Sequence, residues 1–238
     1  MIKKLLHKLG DAYVRRIVQS EAAVQQFDSH NERPAEYAFV FRQMNALAPK
    51  LVLDVGTGQT ALPALMRQCG CMVTAIDNVR DYWPAGMVNR HWHVLNDDIA
   101  NTSRTGAFDM ITCISVLEHI KDDKAAMRNM LQLLRPGGHL VLTCPYTDAM
   151  YIEDTYRVAG ADPRASKLPF ICRSYSRSQL TGWMSDFVPA ELIDAEYWKG
   201  FSGRHWMIGE RIAPPKLSSL TDEHNLGCFL IRRRQEFA

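Results

Sequence analysis

The segment Leu51-Val52-Leu53-Asp54-Val55-Gly56-Thr57-Gly58 sets a carboxylate inside an apolar run and two glycines directly after it. Such a run reads as a buried strand, and the glycines let the backbone turn closely past a ligand before a helix starts. A second run, MVTAI (72–76), ends in Asp77-Asn78. An acid at that place can accept two ribose hydroxyls. A third run, HWHVL (91–95), is followed by Asn96-Asp97-Asp98-Ile99, where a carboxylate and an aliphatic side chain could hold a purine. Acids leaving successive strand ends in this way line the crevice where open α/β sheets bind ligands.

Two cofactor chemistries compete for such a turn. The dinucleotide pattern G-x-G-x-x-G has Ala61 in place of its third glycine here, which some sites tolerate, so spacing alone leaves NAD open. Asp54 discriminates. A carboxylate in the turn repels a pyrophosphate and attracts a cationic amino-acid group such as that of S-adenosylmethionine.

These residues need a parallel sheet to position them. LVLDV (51–55), MVTAI, HWHVL, FDMITCI (108–114) and HLVLTC (139–144) are five short runs separated by turns or helix-like stretches such as 60–69 and 122–134. Strands alternating with helices at this spacing predict a mainly parallel sheet with helices on both faces. Arg135-Pro136-Gly137-Gly138 closes a helix and turns into the fifth strand. Residues 146–174 lose periodicity and read as a lid, 176–184 as a short helix, and 188–197 and 226–232 as late strands. Before the sheet, a helix starts near Pro34 and runs through Tyr37, Phe41 and Met44 to Leu47. The expected organisation is a helical arm over 1–50, a cofactor-binding core over 51–145, and a lid with completing strands over 146–238.

Composition narrows the function classes. The 238 residues carry a formal charge of only +2, which gives no basic face for nucleic acid. That near-balance conceals a basic N-terminal arm. There Ile2, Leu5, Leu6, Leu9, Tyr13, Ile17 and Val18 recur at helical spacing among Lys3, Lys4, Lys8, Arg15 and Arg16. Such a stripe either packs on a domain or touches an anionic membrane face, with Gly10 and Asp11 interrupting it. The six cysteines lack zinc-site spacing, and no segment reads as a secretory signal or membrane span, so a cytoplasmic setting is expected.

Taken together, LDVGTG (53–58), AIDN (75–78), NDDI (96–99), FDMITCISVLEHI (108–120) and LLRPGGHLVLT (133–143) resemble the class I S-adenosylmethionine-dependent methyltransferases, above all their small-molecule subgroup. The resemblance covers roughly 51–145 and implies a Rossmann-like, mainly parallel seven-stranded sheet. It implies that Gly56, Thr57 and Gly58 line the cofactor's amino-acid end beside Asp54. By the same resemblance Asp77 and Asn78 take the ribose, Asp98 the adenine amino group and Ile99 the ring face, while Ser115 borders the methionine portion. It gives no role to DYWPAGMVNRHWHV (81–94).

Methyl transfer asks the protein mainly for alignment, plus a base where the acceptor is a hydroxyl. Glu118-His119 at the mouth of the fourth strand is the first candidate base pair, although the position can also cap a helix; His205 is a second candidate. His91 and His93 alternate and could face one way near Asp97 and Asp98, but without further ligands no metal is expected. Arg164, Lys167, Arg173 and Arg177 surround Tyr175 in the lid, and Arg173 and Tyr175 are the expected substrate contacts. Tyr197, Trp198, Phe201, His205 and Trp206 form either an acceptor wall or core. The expected activity is methyl transfer to an O or N atom of a small molecule or glycan. The alternatives are a methyltransferase for protein or RNA, and a non-catalytic module that binds S-adenosylmethionine.

Overall fold

The computed structural model describes all residues except Met1, Asp28, Ser29, Pro84, Ala85, Asp162, Arg164, Val188 and 236–238, and the side chain of Ser166. The chain divides into two units, residues 1–30 and 31–238. The first holds one helix, α1 (Ile2–Ala23), none of whose residues is buried. The boundary thus falls well before residue 50. The reason is α2 (Arg33–Leu47), which carries Pro34 in its first turn and buries Phe39, Val40 and Met44 in the second unit's core.

The second unit is one eight-stranded sheet in the order β3-β2-β1-β4-β5-β8-β6-β7. β1 (Leu51–Val55), β2 (Met72–Asp77), β3 (Leu95–Asn96), β4 (Phe108–Ile114) and β5 (Leu134–Pro145) run parallel. β6 (Ala190–Phe201), β7 (Arg211–Ser218) and β8 (Leu226–Arg233) pair antiparallel, with β8 inserted between β5 and β6. The helices α3 (Leu62–Gln68), α4 (Asp123–Leu133) and α5 (Arg177–Asp186) follow β1, β4 and the lid. Apolar clusters cover both sheet faces, as the largely apolar sequences of β1, β4 and the second half of β5 require.

Two elements depart from the sequence reading. The run HWHVL is irregular except at its end, where β3 makes a two-residue ladder with Ile76 and Asp77. The alternation of His91 and His93 therefore has no strand behind it, and no group of three metal-ligating side chains occurs among the described residues. The eighth strand, β7, contains Pro214 and Pro215, which argue against a strand by composition. It is an edge strand, and the ladder with β6 skips both prolines, so no needed N–H is lost. No helix among the described residues is long and apolar enough to cross a membrane.

Candidate active site

The parallel strands end at a cavity of about 1550 Å³, lined by the turns after β1, β2, β3 and β4 and by lid residues. Asp54, Gly56, Thr57, Gly58, Asp77, Asn78, Asp98, Ile99, Ser115 and His119 all line it, so the sequence-predicted cofactor residues converge on one chamber.

Asp54 is buried at the last-but-one position of β1. Its Oδ1 accepts a hydrogen bond from Thr112 Oγ1 at 2.6 Å and its Oδ2 one from Thr57 Oγ1 at 2.7 Å. Burial nevertheless raises its pKa to about 6, a carboxylate with an unmet demand for positive charge. The turn after it leaves no room for a side chain at Gly56. Gly56 sits at φ +71°, and a Cβ there would lie 2.3 Å from Val116 Cγ1. Gly58 donates its N–H to Asp77 Oδ2 at 2.7 Å, which locks the turn to the end of β2. Asp98 is held by the Ala100 N–H (3.0 Å) and the Asn101 amide (2.6 Å), and Ile99 is buried beside it.

Ser115, after β4, adopts φ +52°, a strained region for a non-glycine residue that often marks functional turns. Three bonds hold it there. Its N–H donates to both the carbonyl and the hydroxyl oxygen of Thr143, and its own hydroxyl donates to Glu36 Oε1 at 2.5 Å. Glu36 is fully buried on α2 and also accepts from Thr143 Oγ1 (2.6 Å) and Arg33 (2.9 Å). The carboxylate thus bolts α2 to the ends of β4 and β5, and places Arg33 and Tyr37 in the cavity wall. Sequence reasoning missed all three residues, since nothing local connects α2 with strand ends 79 and 107 residues away.

The segment without an assigned role also proves to be part of the site. Trp83 donates its indole N–H to Asp77 Oδ1 at 3.0 Å. Asn89 donates to the carbonyl oxygens of Gly58 and Thr60, both at 2.9 Å, so this strap is pinned to the glycine turn.

His119 ends a 3-10 turn over Leu117–His119 and lies 2.7 Å, through Nδ1, from the carbonyl oxygen of Ile171 in the lid. A carbonyl only accepts, so the neutral ring carries its proton on Nδ1 and keeps a lone pair on Nε2. Burial lowers its pKa and favours that neutral form. The ring of Phe170 packs edge-on against it at 4.8 Å between centroids, and Tyr82 lies 5.2 Å from Phe170 on the other side. Glu118, by contrast, is buried outside the cavity lining, with Oε1 3.9 Å from His119 Nε2 and Oε2 without a partner among the described residues. Desolvation raises its pKa to about 8.

Three expected contacts have other work. Arg173 borders the cavity, but its guanidinium donates to the carbonyls of Ile120 and Lys121 and pairs with Glu153 at 3.2 Å. Tyr175 is fully buried, its hydroxyl donated to the Leu117 carbonyl at 3.1 Å, and it does not line the cavity. His205 belongs to neither the cavity wall nor the His119 cluster; it is buried beside Trp206, which packs edge-on against Phe201 at 4.8 Å. Arg164 lies outside the described residues.

Comparison with known proteins agrees with this arrangement. The profile described as "Methyltransferase domain" matches residues 27–187. A ubiquinone biosynthesis O-methyltransferase of Xanthomonas oryzae pv. oryzae is 33% identical over an alignment of 172 positions that covers 68% of this chain. The chain spans 66% of that relative's length. Among solved structures, the Burkholderia thailandensis 1,6-didemethyltoxoflavin-N1-methyltransferase with S-adenosylhomocysteine bound superposes with a TM-score of 0.57 at 16% identity, covering 96% of this chain and 90% of its own. The magnesium protoporphyrin IX methyltransferase of Synechocystis PCC 6803 gives a TM-score of 0.52 at 14% identity, covering 85% and 82%. With a matching profile over most of the sheet and the same fold in these enzymes, the chain belongs to the methyltransferase domain family and has the Rossmann-like fold of its S-adenosylmethionine-dependent members.

Proposed function

We propose that this protein transfers a methyl group from S-adenosylmethionine to an oxygen or nitrogen atom of a small molecule by in-line displacement. The observation that carries this reading is the single chamber shared by the acidic glycine turn and His119. Its volume, about 1550 Å³, exceeds the roughly 300–1,000 Å³ of an ordinary one-ligand cleft and leaves room for cofactor and acceptor together.

The residues present suit the cofactor. The buried Asp54 carboxylate answers a cationic amino group, Asp77 offers oxygens to ribose hydroxyls, and the side-chain-free turn at Gly56 admits a close backbone approach. Asp98 and Ile99 line the same chamber, which supports reading them as the adenine's contacts. Bound S-adenosylmethionine supplies a methyl group on a sulfonium, which leaves as a neutral thioether when the acceptor's lone pair forms the new bond. His119 takes the proton of a hydroxyl acceptor on Nε2, while its Nδ1–H stays on Ile171. Glu118 lies beside the ring rather than in the chamber, so the acceptor's proton goes to His119 and not to Glu118.

The acceptor itself is read as flat. Tyr82, Phe170 and His119 form an aromatic wall, which favours planar ring systems. Little in the chamber supports a glycan acceptor: the 197–206 aromatics do not line it, and Arg177 pairs with Asp148 at 2.9 Å. The O-methyltransferase relatives support oxygen as the acceptor atom. All six cysteines are free, which supports a reducing, cytoplasmic setting.

A product-release assay over phenols, catechols, nitrogen heterocycles and sugars tests this. Turnover confined to the planar acceptors supports the reading. Labelling of protein or RNA alone, or failure to bind S-adenosylmethionine by calorimetry, overturns it.

A further inference from the structure

From α1 we infer a second interface: a basic amphipathic helix that docks the protein on an anionic lipid surface. At about 100° per residue, Ile2, Leu5, Leu6, Leu9, Tyr13 and Ile17 share one face of this helix. Lys3, Lys4, Lys8 and Arg15 project from the other side, while Arg16 falls within the apolar face, between the bearings of Leu5 and Leu9. Within the helix only Asp11 and Glu21 oppose these five cations.

Leu5, Leu6, Leu9 and Tyr13 are 59%, 63%, 60% and 70% exposed. An apolar face of this size, where it meets water, marks a protein or membrane interaction site. Its flanking charge selects the occupant. A second copy would bring the same excess of cations to the contact, whereas an anionic headgroup layer neutralises it and accepts the apolar face beneath. Tyr13 has the amphipathic ring that settles at such an interface, and Arg16 can bury its stem and raise its head to the phosphates. At 22 residues with lysines interleaved, the helix lies along the surface and does not span it.

The test is co-sedimentation of the full chain with phosphatidylglycerol-containing vesicles and with purely phosphatidylcholine vesicles. Two variants are compared, Leu5→Gln/Leu9→Gln and Lys4→Gln/Lys8→Gln/Arg15→Gln. Since no residue of α1 is buried, both variants should melt at the wild-type temperature. Binding to the anionic vesicles is expected, with much weaker binding to the neutral ones. The cation variant should lose about 100-fold in affinity, roughly fivefold for each charge removed. The leucine variant should lose binding as well. Sedimentation with neither vesicle overturns the proposal, as does binding that survives the leucine changes. A concentration-dependent dimer, abolished by the leucine changes and indifferent to vesicles, assigns the face to a second copy and also overturns it. None of these outcomes depends on methyl transfer, so the docking surface stands or falls apart from the proposed reaction.

Discussion

His119 Nδ1 and the carbonyl oxygen of Ile171 lie 2.7 Å apart, joining the turn after β4 to the lid. The bond fixes which ring nitrogen carries the proton and makes the lid part of the base's geometry. His119 alone would rotate freely. With Ile171 in place and Phe170 against its ring, the imidazole is held with one defined lone pair.

A base held in this way has a definite pH signature. Burial lowers the His119 pKa below its ordinary 6.5, so the ring becomes neutral, and competent, at a lower pH than a free histidine. The kcat for a hydroxyl acceptor should rise with pH and reach its plateau in the acidic range. His119→Ala should lower kcat by about 100- to 10,000-fold, the usual span for loss of a general base, and leave the S-adenosylmethionine Kd unchanged. Single-turnover rates against pH check both points; unaltered turnover in the variant removes His119 from the chemistry.

Glu118 predicts a stability effect of opposite sense to that of most carboxylates. Its folded pKa is about 8, against an ordinary 4.5, because burial penalises the charged form and Oε2 has no partner among the described residues. Between these values the folded state holds a proton that the unfolded state has released, so stability declines as pH rises through this window. Glu118→Gln removes that titration while keeping the shape. The two proteins should melt together near pH 4.5, and the variant should melt higher by pH 8.5. Melting curves at intervals across this range provide the check, and a constant difference at every pH sinks the assignment.

How much of this was readable beforehand depended on the range of the interaction. Asp54, Gly56 and Gly58 were legible because strand, acid and turn are consecutive, and the turn's steric demand falls on the glycines themselves. Asp77 and Asp98 followed from the same strand-end logic. Glu36 was not legible: its partners Ser115 and Thr143 lie 79 and 107 positions away, and a lone glutamate in a helix pattern gives no hint of burial. The backbone partners of Arg173 and Tyr175, both expected as substrate contacts, were not legible for a related reason. Sequence shows that a cation or phenol is present, but not that a backbone carbonyl has already claimed it. The run HWHVL had strand composition, yet only its last residue finds a ladder partner within β3, since pairing is decided by the neighbouring strand and not by propensity.

Arg173 carries the last prediction, because its new assignment contradicts the role of an acceptor clamp. Its guanidinium is 5% exposed and bridges the Ile120 and Lys121 carbonyls to Glu153, tying the lid to the loop before α4. The planar fork can reach both carbonyls at once, whereas a lysine ammonium cannot. Arg173→Lys should therefore cost about 1.5–3 kcal/mol, the usual worth of hydrogen bonds to a charged group, and expose 150–172 to faster limited proteolysis. An acceptor clamp would respond differently: KM would rise for anionic acceptors only, with the melting temperature and lid cleavage unchanged. Measuring the three together separates the roles. A selective KM effect without loosening of the lid would return Arg173 to the acceptor site.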